Sequence, residues 1–179
     1  MADSSRQRPG SERASIRPWG MGMTPEARGQ FEQLLTGQRL LALGVVVEGE
    51  PVVGLVPYAV AGDFTALYMQ ASKLAAHARG LETGSRWSGV VHEPDSEAQD
   101  PLQVARLVLA GGVIRLGGDS PGFNPAALAF LQRFPAAAMT LQLADFALYR
   151  LELESGRLIL GFGQAYNLSR SHFAELAGA

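Results

Sequence analysis

The chain has 179 residues and a mass of 19.0 kDa, 47% hydrophobic and 18% charged, a composition that supports a packed core and excludes a disordered chain. Cysteine is absent, which excludes disulfide scaffolds, thiolate metal sites and cysteine nucleophiles together. A net charge of −2 and a pI near 5.9 give no basic field for nucleic acid, and of the 15 basic residues only Lys73 is a lysine.

Residues 1–23 are rich in Ser, Arg, Gly and Pro and lack periodicity, so they are predicted to form a disordered tail ahead of one domain over residues 24–179. No apolar run follows the tail's arginines, and runs such as Leu40–Val47 are too short to span a bilayer. The expectation is a cytoplasmic protein with no membrane partner.

Thr24 as cap, Pro25 at the first helical position and Gly37 after Phe31, Leu34 and Leu35 predict the first helix. Leu40–Val47 and Val52–Val60, across Glu48-Gly49-Glu50-Pro51, read as an antiparallel hairpin. Phe64–Gln70 makes a third strand. Ser72 is then placed as the N-cap of a helix, SKLAAHARGLE, with His77 among its alanines. Arg86–Val91 and Val104–Leu116 read as strands, the second with a bend or bulge at Gly111-Gly112. A helix over about Pro125–Phe134 follows. Asp145–Leu153 and Arg157–Phe162 are read as a second hairpin turning at Ser155-Gly156, and a helix over about Ser169–Leu176 closes the chain. Strands outnumber helices and mostly succeed one another directly, so the fold class is mainly β, an antiparallel barrel with peripheral helices (α+β).

The chain carries no P-loop, G-x-S-x-G, H-E-x-x-H or strand-borne G-x-G-x-x-G motif. The informative junction is Tyr68-Met69-Gln70-Ala71-Ser72-Lys73. A serine cap and a lysine at a helix start converge with backbone amides on a point suited to an anion, and the alternative is an ordinary cap with a solvated lysine. His77 reads as a hydrogen-bonded structural histidine ahead of a ligand-contacting one. Arg106, flanked by Val104, Leu107, Val108 and Leu109, needs an acid or a bound anion as partner. His92 with Glu93, Asp95, Glu97 and Asp100 reads as a solvated loop ahead of a cation site.

Three stretches in order, Gly49–Val60 (GEPVVGLVPYAV), Leu67–Leu81 (LYMQASKLAAHARGL) and Asp100–Leu116 (DPLQVARLVLAGGVIRL), resemble the FMN-binding split-barrel superfamily, the pyridoxamine 5′-phosphate oxidase-like proteins. DFALYRLELESGRLILGFGQA (Asp145–Ala165) is similar to the haem-utilisation branch of that superfamily. The resemblance implies a six-stranded antiparallel split barrel, a homodimer, and FMN at the subunit interface. By position, Leu55, Val56 and Pro57 would offer backbone groups beside the isoalloxazine. Met69 and Gln70 would lie along the ribityl chain or ring edge, Ser72 and Lys73 would hold the phosphate, and Arg106 would reach the flavin from the partner subunit.

Two departures shape the expected function. The tryptophans, Trp19 and Trp87, both lie outside the C-terminal region where vitamin B6 oxidases carry a tryptophan–arginine motif, which argues against pyridoxamine phosphate as substrate. In the haem-degrading branch a histidine that can ligate iron follows the glycine–phenylalanine–glycine turn, and here Tyr166 stands there, a side chain also able to ligate ferric haem. The leading expectation is an FMN-dependent oxidoreductase acting on a small molecule. The alternatives are a haem-binding or haem-degrading protein and a non-catalytic flavin-binding module.

Overall fold

The computed structural model describes residues 23–161 and 163–178, so the expected tail, Met23 apart, lies outside the described residues. Helix α1 (Pro25–Gly37) forms as expected: Thr24 Oγ1 accepts the Ala27 amide, and Ala27, Phe31, Leu34 and Leu35 make its buried stripe. β1 (Leu40–Val47) and β2 (Glu50–Pro57) pair as the first hairpin. Its turn is only Glu48 and Gly49, both at positive φ (54° and 88°), the type I′ geometry that follows the natural twist of the strands.

The expected strand Val52–Val60 is one extended run bent at Tyr58. Before the bend β2 pairs with β1, and after it β3 (Ala59–Val60) pairs with β4 (Ala66–Ser72). The sheet order is β2, β1, β5 (Arg86–His92), β6 (Arg106–Leu116), β7 (Phe146–Glu152), β4, β3. The two ends of that order are consecutive in the chain, so the bend at Tyr58 closes a barrel. With β2 and β3 taken as one bent strand, this is the expected six-stranded antiparallel split barrel. Tyr58 is fully buried there, and its hydroxyl donates to the Leu35 carbonyl at 2.8 Å.

The barrel interior is the main core, filled by Leu41, Leu43, Val45, Met69, Leu107, Leu109, Tyr149 and Leu151. A second, smaller core forms where α2 (Phe123–Arg133) packs Ala126 on Tyr68, Leu116 and Leu148. α3 (Arg170–Ala177) meets α1 through an edge-on contact of Phe173 with Phe31, ring centroids 5.6 Å apart. Among the described residues no helix is long and apolar enough to cross a membrane.

Two expectations are corrected. Ser72 does not start an α-helix. It is the last residue of β4, still paired with Phe146, and after a tight turn the chain makes only a short 3-10 helix, Ala76–Gly80. The segment is kept close to β1: a Cβ on Gly80 would stand 2.8 Å from the Val46 carbonyl oxygen. Nor do the last strands form a hairpin at Ser155-Gly156. β7 and β8 (Ser155–Ile159) run end to end beside β6, β7 along Val113–Leu116 and β8 along Arg106–Ala110. The hairpin partner of β8 is β9 (Ala165–Ser169), a strand absent from the sequence reading, across a turn with Gly161 and Gly163 at φ 110° and 78°.

The expected bend at Gly111-Gly112 explains this path. From β7 to β8 the chain takes one residue more than β6 does, and the extra length bulges inward at Glu152. The Glu152 carbonyl oxygen lies where a Cβ on Gly111 would stand, and Trp87 Nε1 donates to that same oxygen at 3.2 Å. Gly111→Ala is therefore expected to destabilise the fold by about 1–3 kcal/mol, read as a lower denaturant midpoint. Gly118→Ala, where nothing crowds a Cβ, serves as control.

Candidate functional site

The sheet formed by β2, β1, β5, the first half of β6, β8 and β9 has one face on the barrel core. Strand alternation puts Leu41, Leu43, Val91, Leu107, Leu158 and Leu168 on that inner face. The register collects the other residues on the opposite face: Pro51, Val53 and Leu55 beside Val46, Gly44 and Ala42, then Val90, Val108, Arg157 and Asn167. Among the described residues no helix covers this outer face. Val53, Leu55 and Val46 are 74%, 66% and 61% exposed, and Leu40 and Val108 are exposed as well. Strand β1, Leu-Leu-Ala-Leu-Gly-Val-Val-Val, is apolar on both faces, although only one of them meets the core.

At one end of this face the sheet forms a groove of about 400 Å³, lined by Gly37, Gln38, Arg39, Leu40, Ala42, Leu55, Val90, His92 and Pro94. Its floor is aliphatic. Its polar residues are Gln38, Arg39, whose guanidinium also stacks over the Phe134 ring at 5.1 Å, and His92. Arg106 is the register partner of His92, on the same face. It is half-buried and donates to the Val104 carbonyl at 3.1 Å, so a carbonyl and not an acid is its partner.

The residues singled out from sequence fall into separate groups. Leu55 lies on the open face, and Pro57 follows it on the same side at the end of β2. β2 has β1 on one side and no strand on the other among the described residues, which leaves backbone groups at its edge. Val56 and Met69 turn inward and are buried in the barrel core. Gln70 and Ser72 alternate outward from β4, and Gln70 Nε2 donates to Thr140 Oγ1 at 2.5 Å while its Oε1 is buried without a partner. Ser72 Oγ donates to Asp145 Oδ2 at 2.8 Å and accepts from the Leu74 amide at 3.1 Å. Lys73 Nζ donates to the Ala144 carbonyl at 2.9 Å. The helix start expected to collect amides at this point is absent, and a carboxylate stands beside the serine. Sequence reading missed Asp145 as that partner because it lies 73 positions away.

Tyr166 faces the barrel side. It pairs with Leu158, alternates with Ala165 and Asn167 of the open face, and packs against the main core. The His77 ring lies on Gly54 of β2, so that a Cβ on Gly54 would stand 2.5 Å from Nδ1.

An antiparallel split barrel with one uncovered apolar sheet face defines a class, the pyridoxamine 5′-phosphate oxidase-like split barrels. No protein-family profile matches the chain. It is 31% identical over 142 residues to the haem oxygenase HutZ of Vibrio cholerae, covering 78% of this chain and 80% of that protein. The solved structure of HutZ, described as a haem storage protein, superposes with a TM-score of 0.65 at 28% identity over 75% of this chain and 95% of that one. A haem-binding protein from Mycobacterium smegmatis superposes with a TM-score of 0.73 at 27% identity over 86% of this chain, which spans only 62% of that protein. A pyridoxinephosphate oxidase-family protein from Clostridium acetobutylicum, 10% identical with a TM-score of 0.57 over 84% of this chain and 99% of that one, shares the fold alone. The chain belongs to the HutZ family, the haem-utilisation branch of the split barrels.

Burial holds the His77 imidazole below its ordinary value of 6.5, so the folded state binds that proton less readily than the unfolded chain. Its contribution to stability is complete above that value and is lost as pH falls toward the lowered one. Urea unfolding free energy is expected to drop from about pH 7.5 to about pH 5.5, and His77→Gln is expected to flatten that part of the slope.

Proposed function

We propose that this chain binds haem on the open face of its sheet, between two copies of itself. The observation that carries the reading is the uncovered aliphatic face with its groove, whose polar residues include a cation and an imidazole. These residues fit the group. A flat apolar surface suits the macrocycle, a guanidinium suits its carboxylates, and an imidazole nitrogen is a common iron ligand. Three descriptions among the relatives above 25% identity name haem, as the group a haem oxygenase, a haem storage protein and a haem-binding protein have in common. Bound haem would supply the redox chemistry that no side chain here provides. The chain's own residues would bind it, orient it and exclude water from one side.

The flavin reading has weaker support. A phosphate at Ser72 and Lys73 would sit beside the Asp145 carboxylate, and Lys73 would have to leave the Ala144 carbonyl. Like charge at that distance opposes an anion. A second copy is favoured by the size of the apolar face: exposed Leu40, Val46, Val53, Leu55 and Val108 form a continuous surface of the kind that marks an interaction site.

Titration with haemin is expected to give a saturable Soret band, and FMN added to the same protein is expected to keep its free fluorescence. Tight FMN binding that Lys73→Ala abolishes would overturn the haem reading in favour of the flavin one. For the second copy, Leu55→Glu is expected to shift sedimentation from dimer to monomer and to weaken haem binding by about tenfold or more. A wild-type protein that sediments as a monomer with haem bound would overturn the interfacial placement.

A further inference from the structure

We infer that His92 ligates the haem iron through Nε2 and that Arg39 pairs with a haem carboxylate, an assignment that rests on the haem reading above. The groove contains one imidazole, and its orientation is fixed by the fold. His92 closes β5 opposite Arg106, and its Nδ1 lies 2.6 Å from the Glu93 carbonyl oxygen. A carbonyl only accepts, so Nδ1 carries the proton and donates it. In the neutral ring that leaves Nε2 as the nitrogen with an available lone pair, and the same backbone hydrogen bond sets the tautomer and the orientation of the ring. Glu93 is itself held in place, since its amide donates to the Ala105 carbonyl at 3.0 Å. The imidazole is therefore anchored from behind, exposed in front, and bordered by Leu40, Ala42, Leu55 and Val90.

The rival ligands lie elsewhere. Tyr166 is on the other side of β9, packed against the core, and His77 lies on Gly54 on the inward side of β2. His172 Nδ1 accepts the Ser169 amide at 3.1 Å as part of the cap of α3, away from the groove. Arg39 occupies the groove wall with no acid in contact among the described residues, and its ring contact with Phe134 leaves the guanidinium edge able to meet a carboxylate.

The test is haemin reconstitution of the full chain, read by absorption and electron paramagnetic resonance, with circular dichroism to confirm that each variant is folded. His92→Ala is expected to shift the Soret band, change the ferric spin-state signal and weaken binding by about tenfold or more, and added imidazole is expected to restore the wild-type spectrum. Tyr166→Phe is expected to leave the spectrum unchanged. Arg39→Gln is expected to weaken haemin severalfold without moving the Soret band, and that loss is expected to vanish with haem dimethyl ester, which lacks the carboxylates. If wild type binds haem and His92→Ala gives an identical spectrum, the ligand assignment is overturned while the haem reading stands. If wild type binds no haem, both fall.

Discussion

The close approach of the Glu152 carbonyl to Gly111 is the contact on which the rest of the molecule depends. Strand β6 is long enough to serve two sheets, and it serves them in sequence: β8 along its first half, β7 along its second. The change of partner needs an extra residue in the facing chain, and that residue's carbonyl can be accommodated only where β6 has no side chain. Trp87 then satisfies the displaced oxygen from the neighbouring strand. Because β6 bends there, half of the sheet curls over the core and receives α2 on its back. The other half splays outward and keeps an uncovered face. The barrel and the candidate site thus come from one local packing condition.

That uncovered face sets what the protein can do. A sheet with apolar residues on both sides cannot keep both in water cheaply, since each exposed Val or Leu forgoes about 1.5–3 kcal/mol of burial. A cofactor and a second copy are two ways of covering the same surface, and they are compatible if the cofactor lies between the copies. The polar groups near the groove, Arg39, His92 and Arg106, are each already held by one contact from their own chain. They are orientated before any ligand arrives, which lowers the ordering cost of binding.

Much of the fold was legible in the sequence because it is written in local terms. Thr24-Pro25 marks a helix start and Glu48-Gly49-Glu50-Pro51 a turn, each acting through its immediate neighbours, and Gly111-Gly112 marks a bend by its lack of side chains. The errors have long-range causes. Ser72 looks like a helix cap until one knows that Phe146 extends the pairing of β4 through it. Ser155-Gly156 looks like a turn until β6 is seen to offer a second edge. The same holds for the site. Ser72 and Lys73 had the right chemistry for an anion, and the carboxylate that changes this comes from the far end of the chain. The open face did leave a signal, the doubly apolar Leu40–Val47, which reads equally well as a strand buried on both sides.

Trp87 gives the bend a spectroscopic voice. Its indole is almost fully buried, and its one hydrogen bond is to the carbonyl oxygen that occupies the vacancy at Gly111. The only other tryptophan in the sequence, Trp19, lies outside the described residues, and replacing it by phenylalanine leaves Trp87 as the sole indole. Indole emission then reports the polarity of a single buried point. The protein carries, at the junction of its two half-sheets, an intrinsic optical gauge of whether they are still joined.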